Sequence, residues 1–267
     1  MKKKMIAEGN TAEVFEWSDN QVLKLFRPSF NSKACEKEFA INQELSKLIS
    51  NLPKAFEMIV EDNRPGIIYE RVSSPALLTL SLRKPWLIKE YGRKMARLHF
   101  NIHQKDYYGE VIPAMTTILP ASISQAIYLN ETEKEILLQK ITQQSIEYKI
   151  CHFDFHPGNI MYKRDDEKVI DWMTCCIGNP LADVARTAVM LEFAVIPRVP
   201  IFISYLSSIP QRIMNRAYLN EYCLLSGRTI DEIKVWYPII MASRLQKWLP
   251  EAETKRLLKE VRKRLNT

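Results

Sequence analysis

The sequence predicts an α+β chain: a small, sheet-rich N-terminal lobe over residues 1–70, then a larger and mainly helical lobe over 71–267. Two patterns carry this reading. Residues 5 to 26 and 52 to 72 divide into short strand-like runs separated by polar turns, with one helical stretch between them. From Ser73 onward apolar residues recur mainly at helical spacing, as in Pro85 to His103 with Leu87, Tyr91, Met95, Leu98 and Ile102.

Taken in order, Met5-Ile6-Ala7 leads into the turn Glu8-Gly9-Asn10-Thr11. Ala12 to Trp17 then alternates up to the turn Ser18-Asp19-Asn20, and Gln21 to Phe26 alternates again. Lys24 shares a strand face with Val22 and Phe26, so its ammonium points toward the interior or a cleft and needs an anionic partner. After the turn at Pro28, Asn31 or Ser32 is placed to cap a helix from Lys33 to about Ile49, with Ile41, Leu45, Leu48 and Ile49 as its stripe. Glu38 lies on or beside that stripe and is the expected partner of Lys24, with Glu44 as the fallback. Leu52 to Val60 and Gly66 to Val72 read as two further strands around the turn Glu61 to Pro65.

In the second lobe His99 and His103 stand four apart on one helix, without a carboxylate or cysteine in a ligand pattern nearby in sequence, and read as packing or surface residues. Tyr107 to Thr117 is loop-like, Ala121 to Asn130 is ambiguous, and Glu131 to Ser145 is amphipathic. A helix opens at Pro180, and two more are expected over Ile230 to Leu249, whose stripe includes Trp248, and Glu251 to Leu265.

The chemistry concentrates in Cys151 to Asp183, CHFDFHPGNIMYKRDDEKVIDWMTCCIGNPLAD. Ile150 to Phe153 is a strand end, so Asp154 emerges on a loop. Pro157-Gly158 turns, Asn159 to Tyr162 starts a strand, and a hairpin through Lys163 to Lys168 returns Asp171 toward Asn159. Few protein oxygens with room for water and phosphate suit magnesium. Phosphoryl transfer asks a protein mainly for alignment and charge neutralisation. On this reading Asp154 accepts the proton of an acceptor hydroxyl, Asn159 and Asp171 hold metal, and Lys24 orients nucleotide phosphates. Backbone amides around Gly9 and Asn10 either meet phosphates or form a plain hairpin. The main-chain groups of Glu70 to Val72 face the flat edge of a purine. His152 braces the loop, His156 packs or touches substrate, and Asp183 in the first turn of its helix reaches back to the loop. Only eleven residues separate Asp171 from Asp183, too few for a segment that docks a peptide.

These residues resemble the aminoglycoside phosphotransferase and choline kinase-like family, relatives of the protein kinases. The motifs are HFDFHPGN (152–159), VIDW (169–172) and GNPLADVART (178–187), with AEGNTAEVF (7–15), VLKLF (22–26) and YERV (69–72) upstream. The resemblance implies a bilobal protein-kinase-like fold, ATP or GTP as donor, and Mg²⁺. It also implies Asp154 as catalytic residue, Asn159 and Asp171 as metal ligands, and Lys24 with Glu38 as the phosphate-orienting pair. His156 stands where serine/threonine protein kinases usually have lysine, and Gly-Asn-Pro at 178–180 replaces a common Gly-Asp-Pro.

Composition narrows the rest. The chain of 267 residues is 46% hydrophobic and 26% charged, as expected of a globular protein. No signal peptide is read at the N-terminus, and the apolar stretch Ala188 to Leu206 is interrupted by Glu192, Pro197, Arg198 and Pro200, which favours a buried helix and loop over a membrane span. Five cysteines in no ligand spacing suggest a reducing cytoplasm. The net charge of +7 comes without the aromatic interleaving of a nucleic-acid module, so neither nucleic acid nor membrane is expected as a partner. A monomer or weak homodimer with a small-molecule hydroxyl acceptor is. From Arg186 onward 14 Lys and Arg face 7 Asp and Glu, which leans against a polycationic acceptor, although Glu192, Glu221, Asp231 and Glu232 could still form an acidic pocket. A protein kinase or autokinase, and a non-catalytic nucleotide-binding regulator, remain the alternatives to a small-molecule kinase.

Overall fold

The N-terminal runs pair as antiparallel strands β1 (Met5–Glu8), β2 (Ala12–Ser18) and β3 (Gln21–Phe26). Helix α1 (Ser32–Leu45) follows, then β4 (Ala55–Glu61) and β5 (Arg64–Glu70), giving one sheet of order β1-β2-β3-β5-β4. This computed structural model describes residues 4–9, 11–30, 32–164, 166–193, 201–246 and 249–265, with the backbone alone for 201–208. Asn10, Asn31 and Trp248, each given a role from the sequence, lie outside the described residues.

The chain continues through α2 (Leu77–Arg83), α3 (Ile88–His103), α4 (Met115–Ser124) and α5 (Glu131–Thr142). Four short strands follow, β6 (Lys149–Cys151), β7 (Ile160–Lys163), β8 (Asp166–Val169) and β9 (Cys176–Gly178). Helices α6 (Pro180–Phe193), α7 (Ile201–Ser226), α8 (Ile230–Val235), α9 (Tyr237–Ser243) and α10 (Glu251–Leu265) complete it. None of the described helices is long and apolar enough to cross a membrane.

Two compact units emerge. The first comprises residues 1–77 and 158–174, the second 78–157 and 175–267. The division read from the sequence at residue 70 differs from this, because the β7–β8 hairpin is bonded to the N-terminal sheet region. Tyr162 N donates to Pro75 O and Val169 N to Asn51 O, and Met161 bridges to Ala76. Met173 packs on the cluster of Phe26, Cys35, Ala55 and Ile67. Such long-range bonds leave no trace in local periodicity.

In the first unit, alternation along β3 sorts its side chains. Leu23 and Leu25 pack with Ile68 on one face, while Phe26 joins Cys35 of α1 on the other. Lys24 shares the Phe26 face, as expected. Asp62 and Asn63, both at positive φ, close the β4–β5 hairpin in the sense that right-twisted strands favour.

In the second unit α3 packs closely on α7 at Gly92, where a Cβ would lie 2.5 Å from Met214 O. Strands β6 and β9 pair antiparallel, with Cys151 opposite Cys176. The single helix expected over 230–249 is broken. Thr229 and Glu232 form a capping box that starts α8, the helix caps at Trp236, and Pro238 in the first turn of α9 has no N–H to continue the ladder. The loop expected to run to Thr117 gives way to α4 at Met115, and α1 stops at Leu45, short of Ile49.

Candidate active site

In the middle of the first unit's sheet, β3 aims Lys24 at α1. Its Nζ donates to both Glu38 oxygens at 2.8 and 3.0 Å, and to Asp171 Oδ1 at 3.0 Å. Glu38 is 3% exposed, so the pairing expected from the sequence supplies a buried carboxylate with its counter-ion. Burial alone would depress the lysine, but Glu38 and Asp171 outweigh it and push Lys24 up. The Tyr69 hydroxyl adds a bond to Glu38 Oε1 at 2.8 Å, and burial followed by the Glu38 charge holds that phenol protonated. Glu44, the fallback partner, pairs with Lys47 instead.

Asp171 follows β8 at φ 63, a left-handed conformation that a non-glycine residue seldom adopts. Ile170 N bonds to Asn159 O at 2.9 Å, which ties the two expected metal ligands together through the backbone. Trp172 Nε1 donates to Val169 O, fixing the chain just past Asp171.

Lys24, Glu38, Asn159 and Asp171 all line one cavity of about 370 Å³ within this unit. Gly9, Val22, Glu70, Val72, Met161 and Ile170 line it too, so apolar walls meet a charged cluster. The turn at Gly9 is closed by Gly9 N to Ala12 O at 2.8 Å, and Arg27 bonds both Gly9 O and Glu8. In the segment expected to face a purine edge, Glu70 N and Arg71 N are already bonded to Lys54 O and Asn20 O. None of these bonds uses the Val72 amide. The Glu70 carboxylate takes Lys168 at 3.3 Å.

In the second unit the loop after β6 presents Asp154. Phe153 sits at φ 62, held by its N–H bond to Asp183 Oδ1 at 3.0 Å. Asp154 N donates to His152 Nδ1 at 3.2 Å, and Thr187 Oγ1 donates to Phe155 O at 2.8 Å. His152 therefore braces the loop and Asp183 reaches back to it, as the sequence suggests. His156 Nε2 stands 3.7 Å from Asp154 Oδ2.

Asp183 is fully buried, and its second oxygen meets His99 Nε2 at 3.0 Å and His103 Nε2 at 3.3 Å. The opposite ring nitrogens face the Tyr218 and Tyr222 hydroxyls, each at 2.7 Å. Burial, then the neighbouring His103, pushes His99 down to about 3, so it is neutral at pH 7. An ionised carboxylate only accepts, so both Nε2 atoms carry protons, and the neutral His99 accepts at Nδ1 from the Tyr218 hydroxyl. Burial works against ionisation of Asp183, but the two histidines outweigh it and hold the carboxyl well below its usual range. His99 also stacks on Phe155 at 4.0 Å. The two histidines are thus part of the scaffold that shapes the loop.

The comparisons agree with this geometry. The pattern of the phosphotransferase enzyme family (APH) matches residues 4–214. The chain belongs to the phosphotransferase enzyme family. No curated protein matches it at a significant level. Among solved structures, an aminoglycoside-3'-phosphotransferase of type VIII is 15% identical with a TM-score of 0.62, over 90% of this chain and 91% of that one. A choline/ethanolamine kinase family protein from Mesorhizobium loti is 10% identical with a TM-score of 0.61, over 100% and 89%. The GDP complex of aminoglycoside 2'-phosphotransferase-IIIa is 13% identical with a TM-score of 0.60, over 99% and 93%. At such identities the likeness establishes the fold.

Several functional contacts of this phosphotransferase escape sequence reasoning. Tyr69 and Arg27 act through distant strands, and the link from His99 and His103 to Asp183 spans about 80 residues. The acids considered for an acidic acceptor pocket are mostly matched. Glu221 pairs with Arg97, Asp231 with Lys234 and Glu232 with Arg228. Burial pushes the fourth, Glu192, up toward its neutral form.

Proposed function

We propose that this phosphotransferase moves the γ-phosphate of ATP, or of GTP, to a hydroxyl of a small molecule. The observation that carries the reading is Lys24 held between Glu38 and Asp171 on the wall of a cavity that also admits Asn159, in a chain of this family. Lys24 orients the phosphates, Glu38 fixes Lys24, and the backbone at Gly9 covers them. The Val72 amide and the Glu70 carbonyl address the purine edge.

A carboxylate and an amide oxygen are hard donors of the kind magnesium accepts while keeping water and phosphate in its shell, so the residues present fit that ion. Asp171 and Asn159 would hold Mg²⁺, which when bound neutralises charge on the triphosphate. Asp154 hydrogen-bonds the acceptor hydroxyl. The hydroxyl oxygen bonds to the γ-phosphorus as the bond to the β,γ-bridging oxygen breaks. The nucleoside diphosphate leaves with that electron pair, and the hydroxyl proton passes to Asp154.

A small acceptor is favoured because the chain between Asp171 and Asp183 is taken up by a 3-10 turn at Trp172–Thr174, strand β9 and the start of α6. No peptide-docking segment fits there. A kinase assay over sugars, amino alcohols, hydroxy acids and aminoglycosides tests the reading. Asp154→Asn should lower transfer by about 10³-fold while nucleotide affinity stays close to wild type. Equal turnover by the two proteins would remove Asp154 from its role.

A further inference from the structure

The second unit draws cationic groups partly out of water and leaves them incompletely satisfied by its own carboxylates. Arg186 lies on α6, one turn after Asp183, and its guanidinium carbon sits 4.6 Å from the centre of the Phe153 ring, next to Asp154 in sequence. Its Nε is sealed from solvent without a hydrogen-bond partner, and among the described residues no ion pair joins it to a carboxylate. Arg244, at the end of α9, is 8% exposed. Its Nη2 bonds to Glu253 Oε1 at 2.8 Å, yet its Nε is buried without a partner as well.

The two guanidinium groups feel each other. Burial and then the Arg244 charge push Arg186 down to about 10, against the pull of Asp154 and Asp183. Arg186 as a whole is part-buried while its Nε is sealed and unpaired, and its planar fork matches an oxyanion in two parallel bonds. Asp154 stands close enough to act on Arg186, so an anion held by the arginine falls near the residue assigned to the acceptor hydroxyl. Three of the four acids considered for a polycation pocket are paired with neighbouring cations, and burial pushes Glu192 toward its neutral form.

We propose that Arg186, with Arg244 behind it, binds an oxyanion carried by the acceptor, so that the substrate is an alcohol that also bears a carboxylate or a phosphate ester. This rests on the phosphotransferase reading above and deepens it. The reacting hydroxyl sits at Asp154 and the oxyanion, which does not react, at Arg186.

Two arms test it. In the first, inorganic phosphate is titrated calorimetrically into wild type, Arg186→Gln and Arg186→Lys, each saturated with Mg·ADP so that the nucleotide site is filled. Wild type should bind phosphate at least about tenfold more tightly than Arg186→Gln, with Arg186→Lys between them, and phosphate should raise the melting temperatures in the same order. Equal binding by wild type and Arg186→Gln, or none by wild type, overturns the proposal. Melting curves establish that each variant is folded.

In the second arm, glycerol, glycerate, glycerol 3-phosphate and choline are compared as acceptors with Mg·ATP. The two oxyanions should exceed glycerol by about 100-fold in kcat/KM, and Arg186→Gln should remove most of that preference through KM. Comparable or better transfer to glycerol or choline overturns the anion site but leaves the kinase reading standing. Arginine-dependent phosphate binding in a protein that phosphorylates no alcohol in the wider panel does the reverse.

Discussion

In the first unit Lys24 meets two carboxylates, Glu38 and Asp171, and Tyr69 closes on Glu38, whereas in the second unit the Arg186 guanidinium lies over the Phe153 ring with its Nε facing no acceptor. Both cations belong to regular elements and both are drawn out of water. Their surroundings differ in what they still lack. The lysine cluster holds one more carboxylate than ammonium before any nucleotide arrives, which suits a ligand that brings its own cation. Of the two arginines only Arg244 meets the carboxylate of Glu253, and the Nε of each is left without an acceptor, which suits a ligand that brings an anion. A third arrangement lies between these. Asp183 is as buried as any charge in the chain, yet two imidazoles and the Phe153 amide saturate it.

The sharpest break of this contrast is Lys24→Ala. It strands Glu38 at 3% exposure, and thermal or denaturant unfolding should record a loss of about 3–5 kcal/mol together with lost nucleotide binding. If the lysine substitution proves neutral, the first unit does not depend on its ion pair and the contrast fails.

Asp183→Asn comes next. It removes the charge that three donors address, so stability should fall by about 1.5–3 kcal/mol. Transfer should fall as well, through the loop that Phe153 holds at positive φ. A variant with full activity would separate Asp183 from loop geometry.

Acid sharpens the same comparison. His99 is neutral when folded, pushed by burial to about 3, but takes up a proton near pH 6.5 when unfolded. Its contribution is therefore complete above pH 6.5 and is lost as the pH falls toward 3. The limiting slope is about 1.4 kcal/mol per pH unit for one proton. Melting temperatures between pH 7 and 4 should decline, and His99→Gln should flatten that decline.

The smallest effect belongs to the surface. Arg97, with 60% of its side chain exposed, pairs with Glu221, and Arg97→Ala should change stability by less than about 1 kcal/mol. A larger loss would mean that the unit's outer charges carry more than solvent screening allows.

Much of the first unit was legible before its coordinates. Alternation along β2 and β3, the helix bearing Glu38, and the spacing from Asn159 to Asp171 are local properties, written within single turns or hairpins. The Lys24–Glu38 pair was legible because a lysine on the inner face of a strand has to find an anion, and few acids lie on the packed side of the next helix. The second unit was harder to read. The helix expected over 230–249 overlooked Pro238, whose missing N–H outweighs an uninterrupted apolar stripe. His99 and His103 looked like surface or packing residues because the carboxylate that occupies them comes from another helix, far along the chain.

By itself, then, the sequence determined the class of the fold and singled out the segment from Asp154 to Asp171 as the candidate site, since these depend on periodicity and on short spacings along one stretch of backbone. Only the tertiary structure decided which charges are matched. Whether Arg186 is satisfied or left short of acceptors depends on what α9 and α10 bring beside α6. Pairing of that kind is set by three-dimensional packing and burial, and neither is encoded in local spacing.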